Sequence, residues 1–251
     1  MNLQNNEIKK LAVTIEEFIA EKTCSALSIL LNEPIQHNLT ILGSRYNSKN
    51  KILFSSDEIK MCSVRLNGKG DIHIELLYTI KLNHAINIAS KLLGMKINKL
   101  DEMGMSALQE VANILTGSFF NALSENTGFQ IDLSTPEFKE GELQELIKEP
   151  ANDVKSCIND VVITDVSLWG NNTKTEIHMI IIQHPEHARK LISFKEENVK
   201  QTKYEETSNA NLLGGEHRDI DELVKNCDSS NIRFDENSKN QHLKEGTFGD
   251  N

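Results

Sequence analysis

Three polar side chains recur on one face of a stretch with good helical period, residues 104–126. Ser106, Glu110 and Asn113 follow one another at steps of four and three, and Gly117 continues the row at a further step of four. These steps line one face of a helix and put Glu110 and Asn113 one turn apart. Glu110 brings a carboxylate that can pair with a cation. Asn113 brings a neutral carboxamide that both donates and accepts hydrogen bonds. Gly117 is unfavourable inside a helix, by about 1 kcal/mol relative to Ala, and would let another surface approach closely. Taken singly, each residue also has a structural explanation. A Glu and an Asn on a helix commonly form its solvated face. Ser106 with Gln109 matches a capping box, which would make Ser106 the helix N-cap. Pro136, further on, reads as a residue at a strand end.

The elements that must hold this row can be read from hydrophobic period. Leu108, Ala112, Leu115, Phe119 and Ala122 form an apolar stripe along the same helix, widened by Val111 and Ile114. Strand signals fall at 37–45, 50–55, 59–66, 71–79, 128–134, 156–168 and 175–183. Two echoes run through the chain in the same order. "CSALSILLNEPIQ" at 24–36 resembles "FNALSENTGFQI" at 120–131, and "GDIHIELLYTIKLNHAINIASKLLG" at 70–94 resembles "KTEIHMIIIQHPEHARKLIS" at 174–193. Their offsets, 96 and 105, place an insertion in the second copy near 138–153. Residues 1–100 and 101–194 are therefore read as two copies of one unit, together a single domain over 1–194. The expected architecture is α+β and two-layered, with a continuous, mostly antiparallel sheet and both long helices on one face. Residues 195–251 are polar and poor in large apolar residues, and are expected to be a disordered tail.

Composition narrows the function. The 251-residue chain is 38% hydrophobic and 25% charged, with a formal net charge of −10. That sign gains nothing from a phosphate backbone, so nucleic acid is not the expected partner. Cys24, Cys62, Cys157 and Cys227 form no CxxC pair and no zinc-type spacing, which fits a reduced, cytoplasmic setting. Charges interrupt the N-terminal stretch too often for a signal peptide. No run approaches the roughly 20 apolar residues of a membrane span, so no membrane insertion is expected. The eight histidines are scattered. His184 and His187 read as surface residues at the start of a helix, and His73 and His178 occupy matching strand positions in the two halves. No metal site is expected.

The full spacing, Ser106-x3-Glu110-x2-Asn113-x22-Pro136, resembles the signature of the CheC/CheX/FliY family of chemotaxis response-regulator phosphatases. That signature reads Asp or Ser, x3, Glu, x2, Asn, x22, Pro. Four fixed identities coincide by chance in roughly one sequence in several hundred. The run "NILTGSFFNALSENTG" that surrounds the pair is also similar, and the resemblance spans about residues 1–194. It implies hydrolysis of the aspartyl phosphate on a CheY-type response regulator. Asn113 would orient the attacking water, as a Gln does in GTPases, and Glu110 would contact a cation on the regulator. Ser106, Gly117 and Pro136 would support the motif. The chain would need no cofactor of its own, with Mg2+ carried by the regulator. The resemblance leaves open the deamidase CheD, the flagellar motor switch and a second copy of the chain as further partners. It also leaves open a non-catalytic adaptor or switch component that uses the same face. At an offset of 96, Lys10, Thr14 and Glu17 fall where Ser106, Glu110 and Asn113 stand, and Thr40 falls at Pro136. The first copy is therefore expected to be inactive. In the tail, Ile220, Asp221, Leu223 and Val224 of "DIDELV" faintly resemble the regulator-binding peptide of flagellar switch proteins, the alternative being an ordinary acidic helix.

Overall fold

A computed structural model describes residues 3–41, 60–154, 161–173, 175–194 and 232–234. The first half begins with α1 (Asn5–Phe18), a single π turn (Ile19–Thr23) and α2 (Cys24–Leu31), which form one continuous rod. Strands β1 (Ile35–Ile41), β2 (Lys60–Gly70) and β3 (His73–Lys81) follow, then α3 (Leu82–Leu93). The second half has α4 (Glu102–Thr127), β4 (Ile131–Leu133), β5 (Glu137–Glu142) and α5 (Leu143–Val154). It ends with β6 (Val162–Gly170), β7 (Thr175–Gln183) and α6 over residues 185–194. In the segment 195–251 the structure describes only β8 (Ile232–Phe234), which pairs parallel with β1. The strand expected at 50–55 and the peptide at Ile220–Val224 lie outside the described residues.

The strands form one sheet in the order β4-β2-β3-β7-β6-β1-β8, with β5 also paired to β2, and every pairing except β1–β8 is antiparallel. The order is that of a duplicated unit. β3 and β7 form the central pair, β2 and β6 flank them, and β4 and β1 lie outside those. The two long helical rods end alike, in a left-handed residue, Asn32 (φ 46°) in the first and Gly128 (φ 72°) in the second. The insertion expected near 138–153 corresponds to β5 and α5.

Both faces of the central strands are covered, which explains their near-continuous apolar runs. On one face, Leu76 and Tyr78 of β3 and Met179 and Ile181 of β7 join the main core with residues of the two rods, α3 and α6. On the opposite face, Leu77, Ile180 and Ile182 pack with Ile147 and Ala151 of α5. Helix α4 is held on the sheet by close fit. Phe119 meets Phe18 and Phe120 edge to face, with ring centroids 6.2 and 5.3 Å apart. Phe120 lies over Gly68 of β2, where a Cβ would stand 2.5 Å from its Cζ and 2.6 Å from Ile131 Cγ2.

The α5 face also carries buried charge. Glu75, fully buried, meets Arg65 Nε at 2.9 Å and His73 Nε2 at 2.7 Å. His178 Nδ1 lies 3.0 Å from Asp165 Oδ1. Burial alone would push His178 down, but the carboxylates of Asp165 and Glu176 outweigh it and hold the imidazole up at about 9.

Two stability predictions follow from this packing. Gly68→Ala should lower the unfolding free energy by about 1–3 kcal/mol through overpacking against Phe120, read as a lower urea midpoint. His178 has a folded pKa above its unfolded value of 6.5, so its contribution is fully present below that pH and is lost as pH rises through about 9. The difference in stability between wild type and His178→Asn, on the order of 1–3 kcal/mol at neutral pH, should shrink over that interval when measured by urea denaturation.

Candidate functional site

Helix α4 places the motif by burying everything beside it. Leu108, Val111, Ala112, Leu115 and Thr116 are buried, whereas Ser106, Glu110 and Asn113 are exposed. The buried Thr116 hydroxyl is 3.0 Å from the Tyr78 hydroxyl, which fixes the rotation of α4 about its own axis. The Glu110–Asn113 turn therefore faces outward from a rigid helix. Gly117 is half-buried, and apart from its chain neighbours and the adjoining helix backbone no described atom lies within 4 Å of the place a Cβ would take. The close approach expected there is not made by this chain's own described residues.

Ser106 is not the N-cap. Asp101 caps α4, its carboxylate accepting from Gly104 N at 3.0 Å, so the helix starts a turn earlier than the capping-box reading places it. Ser106 lies within the second turn and lines an open groove of about 900 Å³ together with Gln109, Asn67, Arg65 and Pro136. The Arg65 guanidinium in this groove is committed. Burial would push it down, but Asp153 and Glu75, both bonded to it, hold it up, and Glu149 Oε1 lies 3.3 Å away.

Pro136 stands at a strand end, as its residue type suggests, and the ladder shows why it is there. β4 and β5 run along the same edge of β2 but in registers that differ by one. Between Ser134, whose N–H donates to Asn67 O, and Glu137, paired with Arg65, the edge has Thr135 and Pro136 opposite the single Leu66. This is a β-bulge on an edge strand, a position that tolerates a residue with no N–H. The bulge turns the Pro136 carbonyl toward α4, where it accepts from Gln109 Nε2 at 3.0 Å. In the sequence, Gln109 reads only as a partner for a cap. Its i+3 step from Ser106 gives no hint of a contact 27 residues away.

The first copy of the site needs a correction. The first rod has 27 residues against 26 in α4, because the π turn inserts one. Before the turn, the buried set Leu11, Thr14, Ile15, Phe18 and Ile19 superposes on Leu108, Val111, Ala112, Leu115 and Thr116 only at an offset of 97. The counterparts of Ser106, Glu110 and Asn113 are thus Lys9, Val13 and Glu16, in place of Lys10, Thr14 and Glu17. Thr14 is buried and its hydroxyl donates to Lys10 O at 2.9 Å. Thr40 sits in β1 opposite Asp165, and the β1–β6 ladder runs from Ile35 to Ile41 without a bulge. The corrected positions still hold no Glu–Asn pair.

The histidines depart from the surface reading. His187 Nδ1 lies 3.1 Å from His73 N, the His184 side chain is 12% exposed, and burial pushes His187 down. Among the described residues no group of three His, Cys, Asp or Glu is arranged to hold a metal, and no helix is long and apolar enough to cross a membrane.

The stretch that carries the motif is similar to the CheC-like proteins. A model described as the CheC-like family matches residues 103–140, the stretch that runs from the start of α4 through Pro136. The chain is 25% identical over 179 residues to the CheY-P phosphatase CheC of Bacillus subtilis (strain 168), across 68% of this chain and 86% of that protein. Among solved structures, FliY of Thermotoga maritima matches with a TM-score of 0.60 at 17% identity, over 78% of this chain and 99% of that one. The FliM middle domain from H. pylori matches with a TM-score of 0.53 at 10% identity, over 76% and 99%. The last two establish the shared fold.

Gln109→Ala removes the link between α4 and the bulge. It should cost about 1 kcal/mol of stability and speed amide exchange at Phe138 and Lys139, measured by hydrogen–deuterium exchange, with little change in β6 and β7.

Proposed function

We propose that the chain hydrolyses the aspartyl phosphate of a CheY-type response regulator, with Glu110 and Asn113 as the working pair. The observation that carries this reading is the exposure of that pair, one turn apart, on a helix whose rotation is fixed by Tyr78 and Thr116. The relation to a protein named as a CheY-P phosphatase supports the choice of substrate.

The chemistry asks little of the catalyst. An acyl phosphate is already activated, so the main task is to hold a water in line with the bond to the leaving carboxylate. Asn113 can accept from that water and donate to it without adding negative charge beside the phosphoryl group. The water oxygen bonds to phosphorus, the bond from phosphorus to the aspartyl oxygen breaks, and the water proton ends on the released phosphate. Glu110 would repel the phosphoryl oxygens, so its role is to pair with a cation on the regulator and set the orientation of the two proteins. Mg2+ in this scheme arrives on the regulator. Ser106 and Pro136 act through the backbone and the groove wall, and Gly117 leaves room for the regulator's surface.

Decay of a phosphorylated CheY-type regulator should accelerate in the presence of the protein. Asn113→Ala should reduce that acceleration by about a hundredfold or more without loss of binding, whereas Glu110→Ala should weaken binding as well. Near wild-type turnover in Asn113→Ala would refute the single-site assignment. Binding with an unchanged decay rate would point to an adaptor, the setting in which CheD or the flagellar motor switch becomes the relevant partner.

A further inference from the structure

Far from the α4 motif in sequence, the first half assembles a second set of reactive side chains. Cys24 opens α2, His37 lies in β1, and Glu16 projects from α1. Cys24 Sγ lies 3.4 Å from His37 Nδ1, and His37 Nε2 lies 2.5 Å from Glu16 Oε1. The carboxylate fixes Nε2 as a protonated nitrogen and turns Nδ1 toward the sulfur. This is the nucleophile–base–orienting group arrangement that activates a thiol. A metal does not fit it, because the imidazole presents its two nitrogens to partners on opposite edges and the sulfur and carboxylate do not converge.

The surroundings separate Cys24 from Cys62. The hydrogen bonds to Cys24 and Glu16 hold His37 up at about 10, so a proton is available beside the sulfur throughout the neutral range. The His37 and Glu16 side chains are 20% and 25% exposed, and Cys24 is buried beside them with 9% of its surface left to solvent. Cys62 is 1% exposed, and burial pushes its thiol up to about 11.

We infer that Cys24 is a modification site, a nucleophilic cysteine that hydroperoxides oxidise to the sulfenic acid with His37 donating the proton to the leaving oxygen. The thiol proton leaves to solvent, and the sulfur reacts as the thiolate beside the protonated Nδ1 of His37. The sulfur attacks one peroxide oxygen, an S–O bond forms and the O–O bond breaks. The leaving oxygen takes the proton from Nδ1 and departs as water or an alcohol, and His37 regains a proton from solvent. Sulfur loses two electrons and the peroxide gains them. The site does not depend on the phosphatase reading, although Glu16 is the counterpart of Asn113. The carboxylate that stands at the amide's position serves a different side chain.

The test uses the full-length, reduced chain, treated with hydrogen peroxide in the presence of dimedone and mapped by mass spectrometry. Adduct should form on Cys24 faster than on Cys62 by about tenfold or more. His37→Gln should slow the Cys24 reaction by about tenfold, with Glu16→Gln between it and wild type. Cys62 in the same molecule reports any general loosening, and circular dichroism confirms the fold. Should His37→Gln not fold, Glu16→Gln carries the comparison. Equal labelling of the two cysteines, or a Cys24 rate unchanged in the folded variants, overturns the inference.

Discussion

Helix α4 can lie on the sheet in one way. The Tyr78 and Thr116 hydroxyls meet at the bottom of the interface, where each would otherwise be a buried polar group without a partner. Phe120 sits where Gly68 leaves out a Cβ, and Phe119 closes against Phe18 of the other rod. These contacts fix depth, position along the axis and rotation together. Every exposed residue of α4 is then placed by the buried ones, so a pair of polar side chains on a helix becomes a defined surface.

The same packing constrains the twin of α4, and there the chain has diverged. One inserted residue, absorbed as a π turn, lets the first rod keep its buried register on both sides of the insertion. The exposed face before the turn is shifted by one residue relative to a simple alignment. Lys9, Val13 and Glu16 stand where the second copy has Ser106, Glu110 and Asn113. Glu16 reaches His37 across to β1. Among the described residues of the first half, β1 keeps one register against β6 from Ile35 to Ile41, with no counterpart there of the bulge at Pro136.

The opposite face of the sheet shows how the fold tolerates charge at low exposure. Arg65, His73 and Glu75 satisfy one another beside Asp153 of α5, and His178 is charged between Asp165 and Glu176. Breaking one partner of such a set leaves the other buried and uncompensated, which is costlier than the pair is stabilising. Arg65, through Glu149 and Asp153, ties α5, the insertion in the second copy, to the sheet.

The sequence by itself determined the duplicated unit, the α+β class, the apolar stripe of α4 and the outward row of Ser106, Glu110 and Asn113. Each of these is a local periodicity, and burial follows local periodicity once one face must be dry. It also carried the spacing to Pro136. The tertiary structure alone decided that Asp101, one turn earlier, caps α4, that Pro136 occupies a bulge bonded to Gln109, and that the first copy is offset by 97 before its π turn and 96 after it. It alone brought Cys24, His37 and Glu16 into line. Those facts depend on strand register and on which turn absorbs an extra residue. Both are set by contacts between segments distant in sequence, and no local pattern of residue types encodes them.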